Sequence, residues 1–336
     1  MTLVTGASGL VGAHLLLKLV QKNVKVRALY RTESKLETVK RIFGYYVDNP
    51  DQIFDKITWM ACDITDVPTL ERAFENIEQV YHCAAYISFD PNHYKKLQKS
   101  NVEGTANVVN LCIEKAVNKL CYVSSIAAIG SKGSQPITET TEFNPTDASV
   151  YALTKNAAEL EVWRGTQEGI PAVIVNPGVI LGPGQWNQGS GTFFSKNSKP
   201  QKYFLPGGTG FVGIDDVVDS MMSLMESEIS NERFILVSEN LSFKEIQSRI
   251  AKAFGTKPPT KAIKQWQLEL FWRLDWLRNK LVGSRRILSK AMTKSLQSED
   301  TYSKEKIEMA LGSTLRPLDD MITFCCSAYQ QDNSSY

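Results

Sequence analysis

No stretch of this 336-residue chain approaches the ~18 consecutive apolar residues that would cross a bilayer, so a membrane-spanning helix is not expected. Charge of one sign is also missing. Lys and Arg number 38 against 36 Asp and Glu, and a net charge of +2 gives no reason to expect a nucleic-acid partner. The six cysteines, Cys62, Cys83, Cys112, Cys121, Cys325 and Cys326, include no Cys-x-x-Cys spacing, which argues against a zinc ribbon or a disulfide framework and for reduced core thiols. Only three histidines occur, at His14, His82 and His93, and none pairs with cysteine or carboxylate at ligand spacing; no metal site is expected. No Gly-x-Ser-x-Gly elbow is present, which removes the usual serine-nucleophile reading. Internal repeats and low-complexity tracts are absent too. Leu10 to Val20 has the apolarity of a signal-peptide core, but it lacks a basic leader and starts inside a glycine turn, so a cytoplasmic protein is expected.

What is present begins at the N-terminus. Thr2 to Thr5 reads as a short buried strand, and Gly6-Ala7-Ser8-Gly9-Leu10-Val11-Gly12 follows as a glycine-rich turn opening an amphipathic helix. Gly6 allows the tight turn, Gly9 lets backbone amides approach a pyrophosphate, and Gly12 lets the helix pack close to the strand. Ser8, Leu10 and Val11 lie on the same turn. A dinucleotide is therefore the expected ligand. Gly207, Gly210 and Gly213 repeat the spacing, but their flanks do not read as a strand entering a βαβ unit.

Further apolar runs at Val24 to Tyr30, Ile57 to Ala61, Gln79 to Cys83, Leu120 to Val123 and Ala172 to Asn176 alternate with helical stretches. Those lie around Glu33 to Phe43, Val67 to Asn76, His93 to Ala116 and Ala152 to Glu168. The alternation predicts an α/β fold: a Rossmann-type doubly wound parallel sheet with a smaller, mainly helical C-terminal substrate domain. The expected division is a dinucleotide domain over 1–177, rejoined by segments around 211–237, a substrate-binding part over 178–330 and a frayed tail at 331–336. Gly255-Thr256-Lys257-Pro258-Pro259 is a candidate hinge.

Ligands of an open α/β sheet bind outside the carboxyl ends of its strands. Here those ends carry the glycine turn, Arg31, Asp63, Ala84-Ala85, Ser124-Ser125 and Pro177-Gly178 in succession. Arg31 stands nineteen residues beyond Gly12, where such folds meet the adenosine ribose. An arginine there can bind a 2′-phosphate through paired charge-assisted hydrogen bonds, which favours NADP; NAD stays open, with Glu33 as the residue that would meet its ribose. Asp63 is placed to accept from the adenine amino group, while Asp66 suits the cap of the following helix.

Tyr151 and Lys155 are four apart on a helix and so share one face. A phenol is a poor acid-base group near neutrality until a cation stabilises its phenolate, and Lys155 can be that cation while also donating to a nicotinamide ribose. Tyr302 and Lys306 repeat the spacing. Only the first pair follows a strand ending in hydroxyl residues, which makes Ser125 the partner for a substrate oxygen and leaves Ser124 to hold the strand end or cofactor.

Taken together, the glycine turn, Asp63-Ile64, Cys83-Ala84-Ala85, Asn101-Val102-Glu103-Gly104-Thr105, Tyr122-Val123-Ser124-Ser125, Tyr151-Ala152-Leu153-Thr154-Lys155 and Asn176-Pro177-Gly178 resemble the extended short-chain dehydrogenases/reductases, the NAD-dependent epimerase/dehydratase superfamily. The resemblance implies that Tyr151 moves the substrate proton, Lys155 lowers its pKa and orients the ribose, Ser125 polarises the substrate oxygen, and Asn101 holds backbone and water behind the site. It implies a cofactor site of Gly6, Ser8, Gly9, Leu10, Val11, Gly12, Arg31, Asp63, Ile64, Ala84, Ala85, Ser124, Tyr151, Lys155, Pro177 and Gly178. Two departures from the sugar-nucleotide epimerases stand out: Asn176 rather than arginine precedes Pro177, and Arg31 replaces an acidic residue. Both pull toward the branch similar to dihydroflavonol 4-reductase, cinnamoyl-CoA reductase and 3β-hydroxysteroid dehydrogenase, as does Leu205 to Val217.

The expected activity is thus an NADPH-dependent reduction of a ketone or aldehyde. A nucleotide-sugar epimerase or dehydratase and a non-catalytic dinucleotide-binding protein are the alternatives. The expected partner is a small carbonyl or alcohol compound, with a hydrophobic one and a homodimer both compatible; no nucleic acid and no membrane is expected. From Gln265 to Leu281, Trp266, Leu270, Leu274, Leu277 and Leu281 share one helical face, widened by Phe271, Trp272 and Trp276. Burial against the dinucleotide domain is the expectation for that face, with a substrate wall or a membrane-surface helix as alternatives.

Overall fold

In the computed structural model, which describes residues 1–130, 136–146, 148–282, 286, 293 and 296–334, the apolar runs become strands between helices, buried except at the edge strand Thr58–Ala61. They are β1 (Thr2–Thr5), β2 (Val26–Tyr30), β3 (Thr58–Ala61), β4 (Gln79–His82), β5 (Lys119–Val123) and β6 (Ala172–Pro177). Later come β7 (Val179–Leu181), β8 (Tyr203–Phe204), β9 (Gly208–Gly213), β10 (Glu232–Leu236), β11 (Glu239–Ser242) and β12 (Lys261–Ala262). Seven of them form one sheet in the order β10-β6-β5-β4-β1-β2-β3, with every pairing parallel. The chain folds as a Rossmann-type doubly wound sheet, and its strand order reverses between β1 and β4, the crevice where such folds bind ligands.

Both faces are covered. One core joins Leu15, Leu16 and Leu19 of the Leu10–Gln21 helix to Val217, Met221 and Leu224 of the Ile214–Glu226 helix and Ile322 of the Leu318–Ser334 helix. The other joins Leu70, Val108, Leu111, Ala158 and Val162 from the helices on the opposite face. Burial on both faces is why the strands read as continuous apolar runs rather than alternating ones. The chain after β6 adds, besides helices, a three-stranded sheet β11-β9-β7 and the pair β12-β8, while β10 returns to extend the main sheet.

Several boundaries differ from expectation for local reasons. The strand expected from Val24 starts at Val26, because Asn23 takes φ 60 and the Val24 amide turns back to the Leu19 carbonyl. The expected helix from His93 to Ala116 is Tyr94–Leu97, a π-helical turn over Gln98–Glu103 and Gly104–Glu114. Of the tail expected to fray, 331–334 are instead helical, ending the Leu318–Ser334 helix, while 335 and 336 lie outside the described residues. Its Asp332 carboxylate accepts from the Tyr45 hydroxyl at 2.6 Å and the Trp186 indole at 2.7 Å, which ties the last turn to the body of the fold.

Candidate active site

The glycine turn forms because its backbone has no room for side chains. Gly6 has φ +65, and a Cβ there would lie 2.5 Å from the Ala84 amide nitrogen at the end of β4; a Cβ on Gly12 would lie 2.3 Å from the Gly6 carbonyl oxygen. Gly9 differs, since a Cβ there would meet only the Gly6 oxygen, at 3.1 Å. Gly9 is therefore the least crowded of the three, with one close backbone contact rather than several clashes. Gly9 is the N-cap of the Leu10–Gln21 helix, with no side-chain cap and no acidic residue in the first turn. Uncapped first-turn amides carrying the positive end of the helix dipole suit a pyrophosphate. Ser8, Leu10 and Val11 lie half-buried on this turn. The second glycine series lies instead along β9, where Gly210 gives room to Val237 and Tyr302, and the helix after it begins with Asp215 and Asp216. That strand and its acidic exit do not suit a phosphate.

Arg31 and Asp63 meet at the carboxyl ends of β2 and β3, 3.7 Å apart, with the arginine side chain 52% exposed. The Thr65 amide and hydroxyl donate to Asp63 Oδ1 at 3.0 and 2.9 Å. Burial would raise the Asp63 pKa, yet these bonds and the Arg31 charge outweigh it and hold the carboxyl below its ordinary range. Ile64 packs against the Cα of Gly104 and accepts from Asn107 through its carbonyl at 3.0 Å. Ala84 and Ala85 lie beside Gly6 at the end of β4.

Tyr151 and Lys155 sit in the first turns of the Val150–Gln167 helix, capped by Ser149, whose side chain accepts from the Ala152 amide. Tyr151 faces Ser125, the residue following Ser124 beyond β5, whose hydroxyl accepts from the Ala127 amide at 3.1 Å. Burial pushes the Tyr151 phenol up to about 12, with Ser125 pulling the other way. Lys155 does not donate to Tyr151. Its ammonium reaches the Tyr122 hydroxyl at 2.6 Å and the Val123 carbonyl at 2.9 Å, and lies over the Tyr122 ring. Burial draws its pKa down to about 7, partly opposed by the Glu159 charge. The tyrosine pKa lowered by Lys155, expected from the spacing, thus gives way to a raised one, because the lysine turns toward β5.

Asn101, on the π-helical turn, clamps the chain after β4: its Oδ1 accepts from the Tyr86 amide at 2.7 Å and its Nδ2 donates to the Tyr86 carbonyl at 3.0 Å. The same Nδ2 lies 3.3 Å from Thr154 Oγ1 on the tyrosine helix. Past that clamp, the Phe89 ring packs edge-on against Tyr151 at 5.5 Å.

Ser124, expected at the strand end or the cofactor, is spent on the strand end: its hydroxyl donates to Glu159 Oε2 at 2.6 Å. Asn176 Nδ2 reaches the same oxygen at 2.8 Å and the Ser125 carbonyl at 3.0 Å, and Arg233 of β10 donates to Glu159 Oε1 at 2.8 Å. Pro177 closes β6, and Gly178 is pressed against the Gly210 carbonyl, 2.4 Å from where a Cβ would stand. Glu159, Arg233 and Phe89 escaped the sequence reading, and Tyr122 entered it only as part of a motif, with no role of its own. Glu159 alone had a signal, being four residues beyond Lys155 and eight beyond Tyr151 on one helix face. The second pair is divided: Tyr302 lies before the Glu305–Leu311 helix, and Lys306 binds the Arg233 carbonyl and Glu232. Among the described residues no cluster of His, Cys, Asp and Glu could hold a metal.

Comparison with known proteins agrees with this fold. The profile of the NAD dependent epimerase/dehydratase family matches residues 2–235. The chain is 27% identical to sterol demethylase protein B of Methylococcus capsulatus, over 78% of this chain and 77% of that protein. It is 26% identical to anthocyanidin reductase of Arabidopsis thaliana, over 72% and 77%. Among solved structures, that of gox2253 superposes with a TM-score of 0.79 at 26% identity, covering 99% and 98% of the two chains. The UDP-glucose 4-epimerase of Thermotoga maritima with UDP-glucose reaches 0.77 at 17% identity, covering 99% of both, a likeness of fold.

Proposed function

The chain belongs to the NAD dependent epimerase/dehydratase family, and from that premise we propose that it is an NADPH-dependent reductase of a ketone or aldehyde. A nicotinamide dinucleotide and an oxidoreductase-type chemistry follow from the family; the direction, the phosphate and the carbonyl are our reading. When bound, the dinucleotide supplies a hydride. The protein must then hold a carbonyl and give its oxygen a proton. Tyr151, kept protonated by burial and set beside Ser125 on the helix it shares with Lys155, is a proton donor of that kind, and this arrangement carries the proposal. Ser125 polarises the oxygen, Lys155 holds positive charge behind the phenol and meets the ribose, and Asn101 fixes the backbone beside them. Gly6, Ser8, Gly9, Leu10, Val11 and Gly12 would receive the pyrophosphate, Asp63 and Ile64 the adenine, and Ala84, Ala85, Pro177 and Gly178 the walls of the crevice. Arg31 would take a 2′-phosphate, exchanging Asp63 for a stronger anion.

Reduction is favoured over sugar-nucleotide epimerisation by Asn176, which stands where an arginine would and whose Nδ2 is engaged by the Ser125 carbonyl and Glu159 in the strand end. An anthocyanidin reductase among the similar proteins points the same way. The test is a panel of apolar aldehydes and ketones assayed for net NADPH oxidation with wild type and Tyr151→Phe. The substitution keeps the ring against Phe89 and removes the proton donor, so kcat should fall about 10²- to 10⁴-fold with cofactor affinity little changed. Tightly retained NAD with no net consumption, or near-normal turnover by Tyr151→Phe, overturns the reading.

A further inference from the structure

The Gln265–Val282 helix buries only Leu268, and the apolar face expected to pack on the dinucleotide domain points outward. Trp266 is 61% exposed, Leu270 44%, Leu274 52%, Leu277 44% and Leu281 74%. At about 100° per residue these five fall within an arc of about 80°, on a helix about 27 Å long. Arg273 and Lys280 border the arc on one side and Arg278 on the other. Arg273 pairs with Glu269 and Arg278 with Asp275, both at 2.8 Å, and Lys280 lies over the Trp276 ring. Three of the chain's six tryptophans lie in this helix. Residues 265–297 hold seven Lys or Arg against two Asp or Glu, a net +5 in a chain whose total is +2, so the rest of the molecule carries −3. The helix itself holds three of the seven, with two acids; the other four follow it in sequence at Arg285, Arg286, Lys290 and Lys294.

The helix also adjoins the candidate active site. Asn92 Nδ2 contacts Asn279 Oδ1 at 3.4 Å, and Asp90 accepts from the Arg286 amide at 3.1 Å. Between these contacts and Tyr151 stands Phe89, itself 40% exposed, with Ile87 57% exposed beside it.

We propose that the outward face of the Gln265–Val282 helix is a docking surface for an anionic lipid bilayer, seating the Phe89 and Tyr151 side of the molecule against the membrane. A stripe of Leu and Trp bordered by cations inserts into the acyl boundary while the cations meet phosphate headgroups. A second copy is the competing occupant, and the net charge of +5 that the sequence carries over 265–297 disfavours pairing that stretch with itself. Spanning is not involved: among the described residues no helix is long and apolar enough to cross a membrane. The binding stands apart from the reductase reading and needs no turnover to be measured.

The experiment is sedimentation of the full chain with large unilamellar vesicles of phosphatidylcholine alone or with about 30 mol% phosphatidylglycerol, at low and high salt. Wild type should partition onto the anionic vesicles at least about tenfold better than onto neutral ones, less so at high salt. Leu274→Glu with Leu277→Glu, at positions half exposed to water, should lose that partitioning while thermal melting and NADPH binding stay at wild-type values. The proposal is overturned if wild type binds neither vesicle, if it binds both alike, or if the double variant binds as wild type does. It is overturned equally if wild type without lipid sediments as a dimer that the double variant reduces to a monomer, which assigns the face to a second copy.

Discussion

Glu159 is 1% exposed and receives hydrogen bonds from β5, β6 and β10 at once through Ser124, Asn176 and Arg233, so one carboxylate braces three strand ends behind the site. Its charge also opposes the desolvation of Lys155, whose other near neighbours are Cys83, His82 and Tyr122. A proton-donating site that needs the Lys155 ammonium should lose activity as pH rises through about 7, where the buried lysine gives up its proton. Glu159→Gln keeps most of the hydrogen bonds and removes the charge, so the alkaline break in kcat should move down by about a unit. A rate profile with the same break in the variant would detach Glu159 from the lysine. Arg31→Asp belongs to the same scale. It places an anion beside Asp63 where a 2′-phosphate would sit, and the NADP-to-NAD affinity ratio should fall roughly ten- to a hundredfold. Titration of both cofactors checks it, and an unchanged ratio removes Arg31 from the site.

The glycine turn shows that glycines of one motif act through different contacts. At Gly12 a side chain would strike the Gly6 carbonyl and Ala7 Cα, both backbone, so Gly12→Val should unfold the strand-to-helix turn and lower thermal stability by several kcal/mol. At Gly9 a Cβ would meet one backbone atom at 3.1 Å, a contact relieved by a small shift, so Gly9→Val should lower the melting temperature less than Gly12→Val does and lose dinucleotide binding. Equal melting of the two variants, or retained binding by Gly9→Val, would contradict the division. The helix carrying Asn101 gives a second case. Periodicity places a helix over that segment, but the π-helical turn at Gln98–Glu103 depends on the Tyr86 backbone that Asn101 clamps, a partner fifteen residues away in sequence.

For the molecule as a whole, two buried imidazoles set the response to acid. His14 bonds the Leu10 carbonyl and His82 lies between Thr5 and Thr105; burial lowers their pKa values from 6.5 to about 4 and about 3. The folded chain refuses protons that the unfolded chain accepts below 6.5. Stability is therefore full above that value and declines as pH falls, by about 2 kcal/mol for each histidine near pH 5. Melting followed from about pH 7 to about pH 5 should show the decline, flattened in His14→Leu, which removes a buried ring whose Nε2 has no partner. A melting temperature constant over that range would refute it.

Local chemistry made much of this fold legible in advance. Apolar runs between helix-period segments determine parallel strands covered on both faces, and the positive φ of Gly6 with the Gly12 approach to the Gly6 carbonyl determines a turn that needs glycine at those two positions, since both effects act between near neighbours in the chain. The Tyr151 and Lys155 face followed from helix spacing in the same way. Tertiary structure decided where the charges point. Lys155 turned to Tyr122 and Val123, Ser124 and Asn176 converged on Glu159, and Asp332 held a tail whose composition reads as solvated, because each contact joins residues remote in sequence. The Gln265–Val282 helix has the period that a core helix would have, and only the packing of the assembled chain determines that its Trp266 to Leu281 stripe faces outward.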